Sequence, residues 1–309
     1  MADTRNKRGQ RPVPRDSVPD RAIAGTGMAR LQPAHKLSGA GNWSGGNRLS
    51  RALALILATT ATLSAAEVVH SLRSPRQAGE TTVRVFVPDT PNPPAQPRLL
   101  LVLPVEAGTE SRWGDPAAEI RRTNIANRYR LVAAIPTFTA LPWYADHPSD
   151  ERLQQETYLL RDVLPLIDRH HGTESGSGQT LLVGFSKSGW GAWSLLLRNP
   201  GIFARAAAWD APLMQSKPDK YGMGPVFGDQ ANFNGYLISD LVKRQAELLR
   251  ARKRLVLTGY FESFRPHHVA MHELLKELGV PHAYRDGPKR DHHWESGWLD
   301  EAVSLLLLP

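Results

Sequence analysis

Short apolar runs recur along the chain from about residue 80 onward and indicate β-strands. Residues 82–87 alternate apolar and polar side chains, which is typical of an edge strand. Residues 99–103, LLLVL, form a continuous apolar run, as expected of a parallel strand buried on both faces. Further strands are predicted at these positions: 131–135, 181–185, 204–209, 254–259 and, more weakly, 281–285.

Amphipathic segments lie between these runs and predict helices. Residues 150–167 place apolar side chains at helical spacing, with Ser149 as a candidate N-cap. Residues 237–250 and 266–278 follow the same pattern, and Gly279 closes the second of them. Strands that alternate with helices of this length predict an α/β fold, with a mostly parallel central sheet and helices on both faces. Ligands are then expected at the carboxyl ends of the strands.

Composition supports one folded domain and gives little sign of a nucleic-acid partner. The 309 residues are 41% hydrophobic and include eight Trp, which is enough material for a sizeable core. The net charge of +8 is concentrated at the N-terminus, because residues 1–66 carry ten Lys and Arg against three Asp and Glu. The remaining residues are almost neutral, so no basic face for phosphate backbones is predicted. The absence of Cys excludes disulfides, thiolate catalysis and Cys-ligated zinc.

The basic N-terminal segment ends in an apolar run that is typical of a signal peptide. Residues 52–66, ALALILATTATLSAA, carry no charge, follow Arg48 and Arg51, and end in small residues. The run is short for a membrane span. We therefore expect an unstructured segment with a leader over 1–66, cleavage after Ala66, a folded domain over 67–309, and export to the periplasm or medium. A buried apolar helix is the alternative, and an uncleaved leader would anchor the chain in a membrane.

A strand, a sharp turn and a helix surround Ser186. The sequence GFSKSG over 184–189 follows a very apolar run and precedes a helical segment that ends before Asn199. A serine held in a strained turn of this kind projects its hydroxyl above the sheet, and the residues two before and two after it must be small. Gly184 and Ser188 meet that requirement, although Gly is usual in the second place. Ser186 is the predicted nucleophile, with an ordinary loop serine as the alternative.

The same segment resembles a known enzyme group. Residues 184–208, GFSKSGWGAWSLLLRNPGIFARAAA, are similar to the nucleophile turn and following helix of the esterase D and feruloyl-esterase-like group of α/β-hydrolases. The resemblance covers roughly 80–309, is strongest from 150 onward, and includes ETYLLRDVLPLID over 156–168. It implies the α/β-hydrolase fold and a serine hydrolase that cleaves carboxylic esters without a cofactor.

A serine nucleophile needs a general base and an acid that orients it. The resemblance implies His292 as the base, because His292 and Trp294 match the group's His-x-Trp ending, and His293 is the alternative. It implies Glu262 as the acid, because GYFE over 259–262 resembles the group's Gly-x-x-Asp. Asp210, at the end of another predicted strand, is the alternative acid.

The oxyanion of an acyl transfer needs two backbone N–H donors. We expect one from Lys187, directly after the nucleophile, and one from Val105 or Glu106 in the loop after the 99–103 strand. The resembled group often has His-Gly in that loop, whereas this chain has PVEAG over 104–108.

Several Trp side chains are expected near the strand ends. Aromatic walls suit sugar rings and phenolic acyl groups. We predict Trp143, Trp209 and Trp294 as substrate-binding residues, and we assign Trp190 and Trp193 to the core.

Three histidines lie close together in the sequence and could be metal ligands, but their spacing does not favour a metal site. His267, His268 and His272 lie near Glu262 and Glu273, but the order differs from that of metalloproteases, so we expect no metal.

Three functions remain open at the level of sequence. The leading interpretation is hydrolysis of a small-molecule or carbohydrate-linked ester through an acyl-serine. Acyl transfer to a sugar acceptor shares its first half-reaction. A catalytically silent hydrolase-fold protein that binds a carbohydrate or a partner is the third.

Overall fold

The computed structural model describes residues 65–89 and 94–308. The predicted basic segment and leader over 1–66 lie outside the described residues, except for Ala65 and Ala66. Within the described part of the chain, no helix is both long and apolar enough to cross a membrane.

One sheet of eight strands organises the described residues. Its order is β1-β2-β4-β3-β5-β6-β7-β8. β2 runs antiparallel to both β1 and β4, and every other neighbouring pair is parallel. The strands are β1 (Ala66–Arg73), β2 (Glu80–Val87), β3 (Leu99–Val102), β4 (Val132–Pro136), β5 (Thr180–Phe185), β6 (Phe203–Trp209), β7 (Leu255–Leu257) and β8 (His282–Tyr284).

Helices fill the connections between the strands. They are α1 (Pro116–Thr123), α2 (Ile125–Tyr129), α3 (Gln155–Tyr158), α4 (Leu164–His171), α5 (Ser186–Arg198), α6 (Gly224–Phe227), α7 (Gln230–Asn234), α8 (Ile238–Arg244), α9 (Ala246–Arg250), α10 (Arg265–Glu277) and α11 (Trp298–Leu307). A π-helical turn, Leu159–Val163, joins α3 to α4, and 3-10 turns lie at Ser175–Ser177 and Trp294–Ser296.

The sheet is covered on both faces, which confirms the predicted α/β architecture. Leu99 and Leu101 of β3 belong to a core that also contains side chains of α4, α5, α8 and α10. Leu100 and Val102 of the same strand point into a second core, with side chains of α1, α2 and α11. A strand buried on both faces has no polar side to show, which is why the LLLV sequence is continuously apolar.

The edge strand differs from the prediction. The 82–87 pattern was expected at the edge, but β2 lies between β1 and β4, and β1 (Ala66–Arg73) forms the edge. β1 leaves most of its side chains in solvent, including Val68 and Val69. A strand that buries so little needs no regular apolar alternation, so its sequence carries only a weak signal.

Two predicted helices also have different bounds. The segment expected over 150–167 begins only at Gln155, because the His147 side chain accepts the N–H groups of Ser149 and Asp150 in a preceding turn. Ser149 is therefore not an N-cap. The segment expected over 237–250 is divided into α8 and α9 at Gln245.

Candidate active site

Ser186 lies in the sharp turn between β5 and α5. Its φ of +52° is in the left-handed region, which is a strained conformation for a serine. The backbone N–H of Ser186 donates to the carbonyl oxygen of Asp210, the residue that directly follows the neighbouring strand β6, at 3.1 Å. Asp210 also has a positive φ, of 40°. The carboxyl ends of β5 and β6 therefore hold two strained residues next to each other.

The residues flanking Ser186 explain why the turn needs small side chains. A Cβ on Gly184 would lie 2.4 Å from the backbone carbonyl of Ser188, so only Gly fits there. Ser188 is fully buried, and its hydroxyl donates to the Phe185 carbonyl at 2.9 Å and accepts from the Phe185 N–H at 3.0 Å. The serine that replaces the usual glycine thus satisfies two backbone groups of the turn.

His292 is held by Asp210. The His292 Nδ1 and Asp210 Oδ2 atoms are 2.6 Å apart, and the Asp210 side chain is fully buried while that of His292 is 16% exposed. The His292 ring also packs edge-on against Phe185 and Trp113, at centroid distances of 4.9 and 5.3 Å. A carboxylate that accepts from Nδ1–H leaves the lone pair of Nε2 available as a base.

Glu262, the acid that the resemblance implied, is elsewhere. Its side chain is 66% exposed and forms an ion pair with Lys289. The structure instead brings Asp210, the alternative acid, to His292, because Asp210 leaves β6 directly beside the nucleophile turn, whereas Glu262 lies beyond the end of β7. His293, the alternative base, packs against Gly114, and its Nδ1 accepts the N–H of Glu295 at 3.3 Å.

Ser186, Lys187 and His292 line one cavity of about 370 Å³. Among the described residues, no hydrogen bond joins the Ser186 hydroxyl to His292. Hydrogen bonds of this kind often close only when a substrate binds. Eight further residues complete the wall, and five of them are aromatic. They are Arg112, Trp113, Trp143, Pro212, Tyr221, Phe261, Ser263 and Phe264.

The two predicted oxyanion donors are connected through a side chain. The Lys187 ammonium donates to the Val105 carbonyl at 2.9 Å, which ties the start of α5 to the loop after β3. Burial lowers the pKa of Lys187, and the nearby Glu106 carboxylate opposes that shift. Among the described residues, the backbone N–H of Val105 has no hydrogen-bond partner. The Glu106 carboxylate accepts a hydrogen bond from the backbone N–H of Trp113, at 3.3 Å.

The predicted aromatic residues divide between cavity and core. Trp143 lines the cavity, with its indole N–H donated to the Tyr221 carbonyl at 3.2 Å. Trp209 and Trp294 do not line it: Trp209 stacks on Trp298, and Trp294 packs at a right angle to Phe185. Both are buried, and the Trp209 ring lies 6.0 Å from the His292 ring.

Several lining residues were not anticipated from sequence, including an arginine and three aromatic residues. Arg112, Tyr221, Phe261 and Phe264 come from connections between elements, where no periodicity marks which side chains face inward. Phe261 is part of the same GYFE sequence from which Glu262 was selected, so the segment does reach the site, but through its aromatic residue.

The histidines considered as metal ligands have separate partners. His268 is fully buried and accepts the Ala211 N–H at 2.8 Å, and burial lowers its pKa to about 4. His267 accepts the Met214 N–H, and His272 contacts His282. The described residues contain no group of three or more His, Cys, Asp or Glu arranged to hold a metal ion.

Comparisons with known proteins place the chain in a group of related folds. A family model described as "Putative esterase" matches residues 140–296, just over half of the chain. A ferulic acid esterase structure has 18% sequence identity and a TM-score of 0.61, over 79% of this chain and 98% of that one. An S-formylglutathione hydrolase from Agrobacterium tumefaciens has 20% identity and a TM-score of 0.60, over 77% and 93%. The fluorophosphonate-binding serine hydrolase F of Staphylococcus aureus has 16% identity and a TM-score of 0.61, over 79% and 99%.

Proposed function

The chain belongs to this esterase family, and we propose that it cleaves carboxylic esters through an acyl intermediate on Ser186. The observation that supports this mechanism best is the buried Asp210 carboxylate, whose Oδ2 lies 2.6 Å from Nδ1 of His292, because His292 lines the same cavity as the strained Ser186. A nucleophile, a base and an orienting acid are the three groups that acyl transfer to serine requires.

In the first half-reaction the Ser186 hydroxyl attacks the ester carbonyl carbon and passes its proton to Nε2 of His292. Asp210 stabilises the imidazolium that results. The carbonyl oxygen becomes an oxyanion, which accepts hydrogen bonds from the N–H groups of Lys187 and Val105. The tetrahedral intermediate collapses when the C–O bond to the alcohol breaks, and the departing oxygen takes the proton from His292.

In the second half-reaction water replaces the alcohol. His292 takes a proton from the water as its oxygen attacks the acyl carbon, and the same two N–H groups receive the second oxyanion. The bond to Ser186 then breaks, the serine regains its proton from His292, and the carboxylic acid leaves. The proton that Ser186 lost leaves with the alcohol, and a proton from water restores the serine, so the enzyme is regenerated and the cycle consumes one ester and one water.

The test is hydrolysis of p-nitrophenyl acetate by the purified full-length chain, together with labelling by a fluorophosphonate probe. Ser186→Ala and His292→Ala should each abolish hydrolysis, and Ser186→Ala should abolish labelling. Ser216→Ala removes an exposed serine outside the cavity and should leave both signals unchanged. Labelling that persists in Ser186→Ala, or activity that survives in both variants, would exclude this mechanism.

We further propose that the protein is exported and that its leader is removed after Ala66. Such a cleavage would leave β1 intact except for its first residue. N-terminal sequencing of the exported protein tests this proposal, and a secreted chain that retains residues 52–66 would contradict it.

A further inference from the structure

The cavity around Ser186 is positively charged. Two of its lining side chains, Arg112 and Lys187, are cationic, and no Asp or Glu is among its lining residues. Asp210 reaches the site only through His292 and is itself fully buried. A concave, mostly apolar wall around two cations concentrates positive potential in the space that a substrate must enter.

Arg112 is the cation whose donors remain available. Among the described residues it forms no hydrogen bond or ion pair, and its guanidinium carbon lies 4.9 Å from the centroid of the Trp113 ring. Arg121, Arg122 and Arg128, on the helices that follow it, are all paired with carboxylates. An unpaired guanidinium that is held against an aromatic ring at a cavity wall presents a planar fork of N–H donors.

Lys187 adds charge but few free donors. Its ammonium already donates to the Val105 carbonyl, and the Glu106 carboxylate lies close enough to offset part of its charge. Lys289, a further cation at the Phe261 ring, is neutralised by Glu262. The arrangement therefore leaves Arg112 as the side chain that can receive an anion directly.

The charge differs on the two sides of His292. A second, wider cavity of about 510 Å³ shares Arg112, Trp113, Phe261 and His292 with the first, but it is also lined by Asp291 and Glu295. An anionic group on that side would meet two carboxylates. On the Ser186 side it would meet none, so the asymmetry favours one location for a negative charge.

We propose that the natural ester of this protein carries a carboxylate, which Arg112 binds inside the Ser186 cavity while the aromatic walls hold the apolar part of the substrate. This inference rests on the proposed function. Arg112 acts here on specificity and not on bond cleavage, so its removal should raise KM for anionic esters more than KM for neutral ones.

The test compares two matched pairs of esters on the full-length protein. The first pair is 4-acetoxybenzoate and its methyl ester, with the charge on the alcohol side. The second is the 4-nitrophenyl monoester of terephthalic acid and its methyl ester, with the charge on the acyl side. In each pair the carboxylate, or the methyl ester that replaces it, is para to the reacting ester, so the carboxylate cannot attack that ester within the molecule. The quantity of interest is the ratio of kcat/KM for the anionic ester to that for the neutral one.

In Arg112→Gln we expect this ratio to fall about tenfold for at least one pair, mainly through KM, as expected for a charge-assisted hydrogen bond partly open to solvent. Arg112→Lys should restore part of the preference. Lys289→Gln removes a nearby cation that is already paired and should leave the ratio within about twofold. Unchanged melting temperatures would exclude a folding defect.

Equal ratios in wild type and Arg112→Gln for both pairs would overturn the inference while leaving the proposed function intact, provided that the neutral esters are cleaved and Ser186→Ala is inactive. Cleavage of none of the four esters by the wild-type protein would count against the proposed function and would remove the inference with it.

Discussion

Replacing Asp210 with Asn tests which carboxylate serves His292. The change keeps the size of the side chain, but it removes the charge that faces the imidazolium across 2.6 Å. It also allows the amide NH₂ to donate to Nδ1, which would place the ring proton on Nε2, where it blocks proton uptake from Ser186. The first effect acts on the transition state, in which the imidazole carries a charge, and the second leaves the resting ring in a tautomer that cannot accept the serine proton.

The expected magnitude follows from these two effects. In serine proteases with the same constellation, the corresponding change lowers kcat about 10⁴-fold, and each factor of ten is about 1.4 kcal/mol of activation free energy. We therefore expect Asp210→Asn to lower kcat by about 10³- to 10⁴-fold, or roughly 4–5.5 kcal/mol. Stability should not fall in parallel, because Asp210 is fully buried and its second oxygen, Oδ1, has no partner among the described residues. Removing a buried, partly unsatisfied charge costs the fold little.

The assay is the steady-state hydrolysis of p-nitrophenyl acetate at neutral pH, with thermal unfolding followed by circular dichroism. Glu262→Gln is the matched control, since that carboxylate is exposed and paired with Lys289, and its kcat should remain within about twofold of wild type. A loss below tenfold in Asp210→Asn, or an equal loss in Glu262→Gln, would refute the assignment of Asp210.

Three further predictions concern the fold around the site. Ser188→Ala should lower the free energy of unfolding by about 1–3 kcal/mol in urea titrations, because it leaves the buried Phe185 N–H without its acceptor; an unchanged midpoint would contradict this. Gly191→Ala should destabilise by about 1–3 kcal/mol, since its Cβ would lie 2.0 Å from the Tyr144 ring, and a wild-type melting temperature would show that the ring yields freely. The folded-state pKa of His268, about 4, lies below its ordinary value of 6.5, so the unfolded chain binds the extra proton first. This contribution to stability is constant above about pH 6.5 and declines by roughly 3 kcal/mol as pH falls toward 4; His268→Gln should flatten that slope, and an equally steep slope in the variant would assign it to other groups.

The positions of the inner strands along the chain could be predicted from sequence because burial on both faces demands continuous apolar runs. β5 and its turn are the clearest case: the LLVGF run, the serine and the small residues at 184 and 188 each follow from one local requirement. The edge strand β1 could not be predicted, since an exposed strand imposes no such demand on its side chains.

The choice between Asp210 and Glu262 was beyond local reasoning for a different reason. Both carboxylates follow parallel strands, β6 and β7, and both precede His292 in the chain. What separates them is the path of the backbone after each strand: Asp210 turns at a φ of 40° and directs its side chain at His292, whereas Glu262 lies three residues past the Gly259 turn and reaches solvent. No pattern of residue types encodes that path.

The position of Asp210 has a consequence for how the site is held together. Because the Ser186 N–H donates to the Asp210 carbonyl, the proposed nucleophile and the proposed acid are joined through the backbones of adjacent strand ends. His292 comes from a distant loop, but it is fixed by the Asp210 carboxylate and by ring contacts with Phe185 and Trp113. Among the described residues, the Ser186 hydroxyl has no hydrogen-bond partner. The proposed mechanism requires this hydroxyl to form a hydrogen bond to His292 when an ester binds, whereas Asp210 and the ring contacts already hold the imidazole in place.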